Sequence, residues 1–339
     1  TCQKNLHVSR GYALSLSKLS AAFFLVTFIG VADAAPIKKP APKEAAGWAP
    51  TEVKEVPVIP DPIYAAFDQG KYLEAKKLAE AAATQGNGPA HTMLGQLYEQ
   101  GLGVPQNYIQ AAEWYAKGAA LGDVDAQFSI GVMLAAGQGL KSDKTKAAQF
   151  FELAAAKNHP VALYNLALVY VDGRDRPQDF KKAAELLEKA AKLDYAPAQY
   201  DLAGFYREGR GIAPDDKKYA YWMGKAAASG IPDAELEYGI ALYKGIGVAQ
   251  DPVAGFARIQ SAAEKGNTVA QNRLAHAYAA GAGVKYNAAE AAMWHLISRQ
   301  AGLSDFKLDQ MLATLTPEQL QKAEKAAEEY QRATEGLLE

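Results

Sequence analysis

From Ala90 to Asp305 the chain alternates short amphipathic stretches with polar, glycine-bearing breaks, and the alternation has a period of 36 residues. Alanine recurs at Ala90, Ala126, Ala162, Ala198, Ala234 and Ala270. Apolar residues follow at helical spacing, as in Leu94 and Tyr98 or Leu166 and Tyr170, and share one helical face. A first glycine column, Gly101, Gly137, Gly173, Gly209, Gly245 and Gly281, ends each stretch. A second holds Gly103, Gly139, Gly211, Gly247 and Gly283, with Asp175 in the third unit. These are read as structural loop glycines, because glycine takes positive φ without strain. An Asn or Asp column follows: Asn107, Asp143, Asp179, Asp215, Asp251 and Asn287. Side chains of this type cap the unpaired first-turn amides of a helix. The second helix ends at Gly122, Asn158, Asp194, Gly230, Gly266 and Gly302.

Each unit therefore reads as two antiparallel helices, the first opening at the repeated alanine. One such hairpin cannot bury both helices, but stacked copies share a continuous core. The pattern predicts an all-α protein, a right-handed α-solenoid with six units over 90–305. A capping helix pair is expected over 61–89 and a C-terminal helical cap over 306–339. In the latter, Phe306–Thr314 reads as a helix, and Thr316-Pro317-Glu318-Gln319 as a capping box that opens a long charged helix.

Composition agrees with this reading. Of the 339 residues, 68 are alanine, the strongest helix former. The net charge of -2 argues against a nucleic-acid binder. The single cysteine, Cys2, allows no internal disulfide. Lys4, Arg10 and Lys18 precede an uncharged run from Leu19 to Ala32, and Ala32-Asp33-Ala34 supplies small residues for cleavage. Residues 1–34 are expected to be a cleavable export signal, leaving no stable membrane span and a periplasmic or secreted protein. Residues 35–60 read as a proline-rich disordered leader. A ligand strip around Trp48 is the alternative there.

The unit Ala90–Asp125, with Leu94, Gly101-Leu102-Gly103-Val104, Ala111 and Trp114-Tyr115, resembles the Sel-like repeat family, relatives of the tetratricopeptide repeats. The third unit departs from it at Gly173-Arg174-Asp175-Arg176-Pro177. The resemblance implies a non-catalytic adaptor, scaffold or regulator that binds other proteins. It is similar in layout to the periplasmic exopolysaccharide regulators of rhizobia, which implies the periplasmic domain of a sensor kinase as partner. A cell-wall-associated protein is the alternative function. A β-lactamase-like hydrolase is the third, since some relatives carry that label.

Little in the chain supports chemistry. His91, His159, His276 and His295 show no metal-ligand spacing, although His276 and His295 share one unit. Ser304-Asp305-Phe306-Lys307 stands alone, without the companion motifs of penicillin-recognising enzymes. No cofactor, metal or catalytic residue is expected. In tetratricopeptide-type solenoids the first helices line the concave face. Aligning the units to that pattern aims Phe128, Val132, Tyr164, Leu168, Val171, Tyr200, Leu236, Ile240 and Tyr243 into the groove, edged by Arg207, Glu208 and Lys244. An apolar centre with a polar rim suits a protein or peptide partner. Phe128, Tyr164 and Tyr200 are expected to form an exposed ladder. Trp114, Trp222 and Trp294, which share one column of the second helix, are assigned to packing between units.

Overall fold

The computed structural model describes residues 61–174 and 176–335. The proposed signal, 1–34, and leader, 35–60, lie outside the described residues, as does Asp175. The described residues form sixteen α-helices and no strand. An opening pair, α1 (Pro62–Asp68) and α2 (Tyr72–Ala83), turns at Gly70. Six pairs follow: α3 (Gly88–Gln100) with α4 (Tyr108–Ala120), α5 (Val124–Ala136) with α6 (Lys144–Ala156), α7 (Pro160–Asp172) with α8 (Phe180–Lys192), α9 (Ala196–Glu208) with α10 (Asp216–Ala228), α11 (Pro232–Lys244) with α12 (Pro252–Glu264), and α13 (Thr268–Ala280) with α14 (Ala288–Gln300). The chain closes with α15 (Phe306–Leu312) and α16 (Pro317–Glu335). It divides into two compact units, Thr1–Leu153 and Ala154–Glu339.

Each first helix begins two residues before the repeated alanine. The reason is the cap. Asn87 accepts from the Ala90 amide at 2.9 Å, Asp123 from Ala126 at 2.8 Å and Asn267 from Ala270 at 2.8 Å. His159 does the same through Nδ1, at 3.1 Å from the Ala162 amide. The alanine amide is thus the captured donor, and its methyl group is buried. In α9 and α11 no side chain caps the helix, and a proline in the first turn supplies the start.

The second helices start as the sequence predicts. Asp179, Asp215 and Asp251 accept from the amides of Lys182, Lys218 and Ala254 at 2.9 to 3.0 Å. Their own N–H groups donate to carbonyls at Tyr170, Tyr206 and Leu242 in the preceding helix. Each capping residue is therefore fixed on both sides. At the C-terminus of α16's predecessor loop the capping box also forms: Thr316 and Gln319 exchange amide-to-side-chain bonds of 2.9 and 3.3 Å.

All eleven loop glycines have positive φ. The two columns nevertheless do different work. The first ends the helix in the left-handed conformation. The second is pressed against the preceding repeat. A side-chain carbon on Gly211, Gly247 or Gly283 would strike the main chain of Phe180, Asp216 or Pro252, at the first turn of the previous second helix. Gly139 meets Tyr108 in the same way in the first unit.

Small residues also set the distance within a pair. A side chain on Gly95 would lie 2.6 Å from the Tyr115 ring, on Gly131 2.8 Å from Phe151, and on Gly239 2.8 Å from Ile259. Where this column carries Ala167, Ala203 and Ala275, the matching second-helix column carries Leu187, Met223 and His295. The largest rings thus face glycine. Trp222 and Trp294 are buried, and Trp114 packs on the core formed by Ile63, Ala79, Met93 and Leu97.

Buried amides tie successive repeats together. Gln127, Gln199 and Gln271 donate through Nε2 to the carbonyls of Ala119, Ala191 and Ala263, near the end of the preceding second helix. Glu235 takes this column in the fifth repeat and instead accepts from Ser261 and Lys265 at 2.9 Å. Lys265 in turn donates to the Gly230 carbonyl at 3.1 Å.

Gly247→Ala and Gly266→Ala separate the two glycine roles. Both sites have positive φ, but a side chain on Gly266 meets nothing within 4 Å. Urea denaturation should show a loss of about 1–2 kcal/mol for Gly266→Ala, the cost of left-handed backbone, and a clearly larger loss for Gly247→Ala. Equal losses would refute the close approach between repeats.

Candidate functional site

The outward face of the first helices carries the candidate residues, and the structure sorts them by burial. In the first compact unit, Phe128 is 7% exposed, with its ring 5.9 Å from that of Phe151. This corrects the expectation of an exposed ladder beginning at Phe128, which is core. Val132 is half-buried. In the second compact unit Leu236 is 6% exposed and belongs to the core around Ile259 and Leu274, so it too leaves the candidate surface. Tyr164, Leu168, Val171, Tyr200 and Ile240 are half-buried, whereas Arg207, Glu208, Tyr243 and Lys244 are exposed.

Tyr164 is held rather than offered. Its ring stands edge-on to Tyr195, with centroids 5.3 Å apart. Its hydroxyl donates to Asp201 Oδ2 at 2.9 Å. Asp201 is buried, and burial pushes its carboxyl up to about 7, against the opposing pull of the Tyr164 hydroxyl and the Arg210 charge. Burial likewise raises Tyr195 to about 12. Tyr164 and Tyr200 are therefore not equivalent rungs.

Sequence reasoning missed Asp201. The signal was present, because an aspartate between Tyr200 and Leu202, inside an apolar helix, is expensive unless something holds it. The same column supplies Glu237, which accepts from Arg207 at 2.7 Å. Arg207 also lies over the Tyr219 ring, 5.4 Å from its centroid. Glu208 pairs with Arg210. Two of the predicted rim charges are thus already neutralised. The Lys244 side chain makes no hydrogen bond or ion pair among the described residues.

The two histidines of the sixth repeat do not pair with each other. His276 Nε2 lies 2.7 Å from Asp305, which also caps α15 and accepts from Asn272. Against the cost of partial burial, these contacts hold the Asp305 carboxyl down at about 2. His295 is fully buried, with Nε2 2.8 Å from Asp309. Among the described residues, no three His, Cys, Asp or Glu side chains converge in a metal-binding cluster. No described helix is long and apolar enough to cross a membrane.

The repeat spacing, capped helix pairs and double-glycine loops coincide with the Sel1 repeat, which matches residues 88–123, 124–159, 160–195, 196–231, 232–267 and 268–303. The chain belongs to the Sel1 repeat family. Solved structures similar to it include the following two. One is a Sel1 repeat protein from Oxalobacter formigenes, 27% identical, with a TM-score of 0.62, covering 70% of this chain and 98% of that one. The other is a protective antigen present in uropathogenic Escherichia coli strains that displays an SLR fold, 28% identical, with a TM-score of 0.55, covering 79% and 67%. The search of curated proteins gives no match. Sel1 repeat proteins are commonly scaffolds for protein–protein interaction, typically without catalysis, and their repeats form the solenoid expected from the sequence.

Asp201 gives this Sel1 repeat protein a pH dependence. In the unfolded chain its carboxyl titrates near the ordinary aspartate value of 3.8. Between about 4 and 7 the native state holds a proton that the unfolded state has released, so stability falls as pH rises through that window. Urea midpoints measured across it should decline for the parent, and Asp201→Asn should flatten that decline. A second expectation follows from the corrected site. Phe128→Ala should cost about 3–5 kcal/mol, as for a buried aromatic ring, and an unchanged melting temperature would return Phe128 to the surface.

Proposed function

We propose that this Sel1 repeat protein is exported and binds a protein partner through the outward face of α9, α11 and α13, acting as an adaptor or regulator in the cell envelope. The observation that carries the reading is the exposed set Arg207, Glu208, Tyr243 and Lys244 beside half-buried Tyr200 and Ile240. Tyr243 is 38% exposed on a helix whose other large apolar residues are buried or half-buried. Exposed aromatics next to charged side chains are common at the centres of protein interfaces. Export rests on the basic, apolar and small-residue order of positions 1–34. The partner in the narrower form of this proposal is the periplasmic domain of a sensor kinase.

In-cell photo-crosslinking tests the reading. A photoreactive residue at Tyr243 or Lys244 should capture one defined partner. The same residue at Leu193, exposed at the far end of α8, should not. Capture from Leu193 alone, or recovery of sacculus-bound material from all sites, would replace the proposal with a different surface or with cell-wall association. Release of residues 1–34, read by intact mass from the periplasmic fraction, tests export.

A further inference from the structure

Gly204 has no internal reason to be glycine. It sits in the middle of α9, where glycine costs about 1 kcal/mol relative to alanine. Its φ is not left-handed, and a side-chain carbon there would meet nothing within 4 Å. The other glycines inside first helices, Gly95, Gly131 and Gly239, all face a packed side chain. The column of Gly204 otherwise carries Gln96, Val132, Leu168, Ile240 and His276. Gly204 is thus a one-residue notch in a row of larger side chains. Leu168 and Ile240 flank it on the neighbouring first helices, and Tyr200 and Arg207 lie one turn away along its own helix.

Charge around the notch is uneven. Towards the fourth repeat the rim charges cancel, as Arg207 with Glu237 and Glu208 with Arg210. Towards the sixth they do not. The Lys244 and Arg273 side chains are exposed and have no polar partner among the described residues. Arg273 occupies in α13 the position that Glu237 occupies in α11. The Arg207–Glu237 bond shows that this position faces the preceding first helix. Arg273 therefore looks towards the Tyr243 end of α11, where Glu237 looks towards Arg207.

We infer that the notch and the two unpaired cations form one recognition site for an extended acidic segment of a partner protein. The segment places a bulky apolar side chain over Gly204 and a carboxylate at Lys244 or Arg273. Neighbouring helices lie about 8–10 Å apart, and an extended chain advances about 3.3 Å per residue. The carboxylate then falls about three to six residues from the apolar anchor. The inference deepens the proposed partner-binding face and rests on it.

The probe is a displayed library of random dodecapeptides, selected against the full chain. Enriched peptides should carry a bulky apolar residue separated by that spacing from Asp or Glu. Synthetic copies should lose affinity about tenfold or more, as for loss of an interface hot spot, with Gly204→Leu and with the double variant Arg273→Glu, Lys244→Glu. Gly204→Leu should melt no lower than the parent, since leucine has the better helix propensity and open space to occupy. No enrichment, enriched peptides without acids, or a smaller loss of affinity in either variant would overturn the inference. A partner crosslinked from Tyr243 whose binding survives Gly204→Leu would remove the notch and leave the partner face standing.

Discussion

The close approach of main chain to main chain, or of ring to main chain, at positions without a side chain is what the other contacts in each unit depend on. Gly211, Gly247 and Gly283 lie against the first turn of the preceding second helix. Gly95 and Gly131 lie under aromatic rings. These approaches fix the spacing at which the glutamine column can reach the preceding carbonyls. Dispersion and burial then follow from geometry, because alanine-rich helices gain packing only when their axes come close.

Most of the helical framework was legible because it rests on single-residue backbone requirements at a fixed spacing. Asp215 caps and Gly209 turns regardless of what surrounds them. The start of each first helix was less legible. Its cap is supplied by Asn87, Asp123, His159 and Asn267, and by proline in α9 and α11, so no single residue type marks it. The repeated alanine was conspicuous for another reason, its burial.

The candidate surface was only partly legible. Residues three apart in the helix share a stripe, yet the depth of each depends on what the next repeat sets against it. Tyr164 is half-buried because Asp201 and Tyr195 meet it. Leu236 is covered by the core around Ile259. The column of Asp201, Glu237 and Arg273 carries the electrostatics of the face, but it changes character from repeat to repeat and so leaves no periodic trace. Sequence periodicity reveals what all repeats share, whereas recognition resides in what they do not share.

The buried glutamines have a consequence for how such an array changes length. Gln127, Gln199 and Gln271 bond to main-chain oxygens, which any preceding repeat presents whatever its side chains. The fifth repeat, with Glu235 in that column, still reaches back through Lys265 to a main-chain oxygen at Gly230. A junction built on this rule recognises the fold of its neighbour rather than its sequence. Whole repeats can then be duplicated, lost or exchanged by recombination without a matching change next door, leaving the variable columns free to diversify.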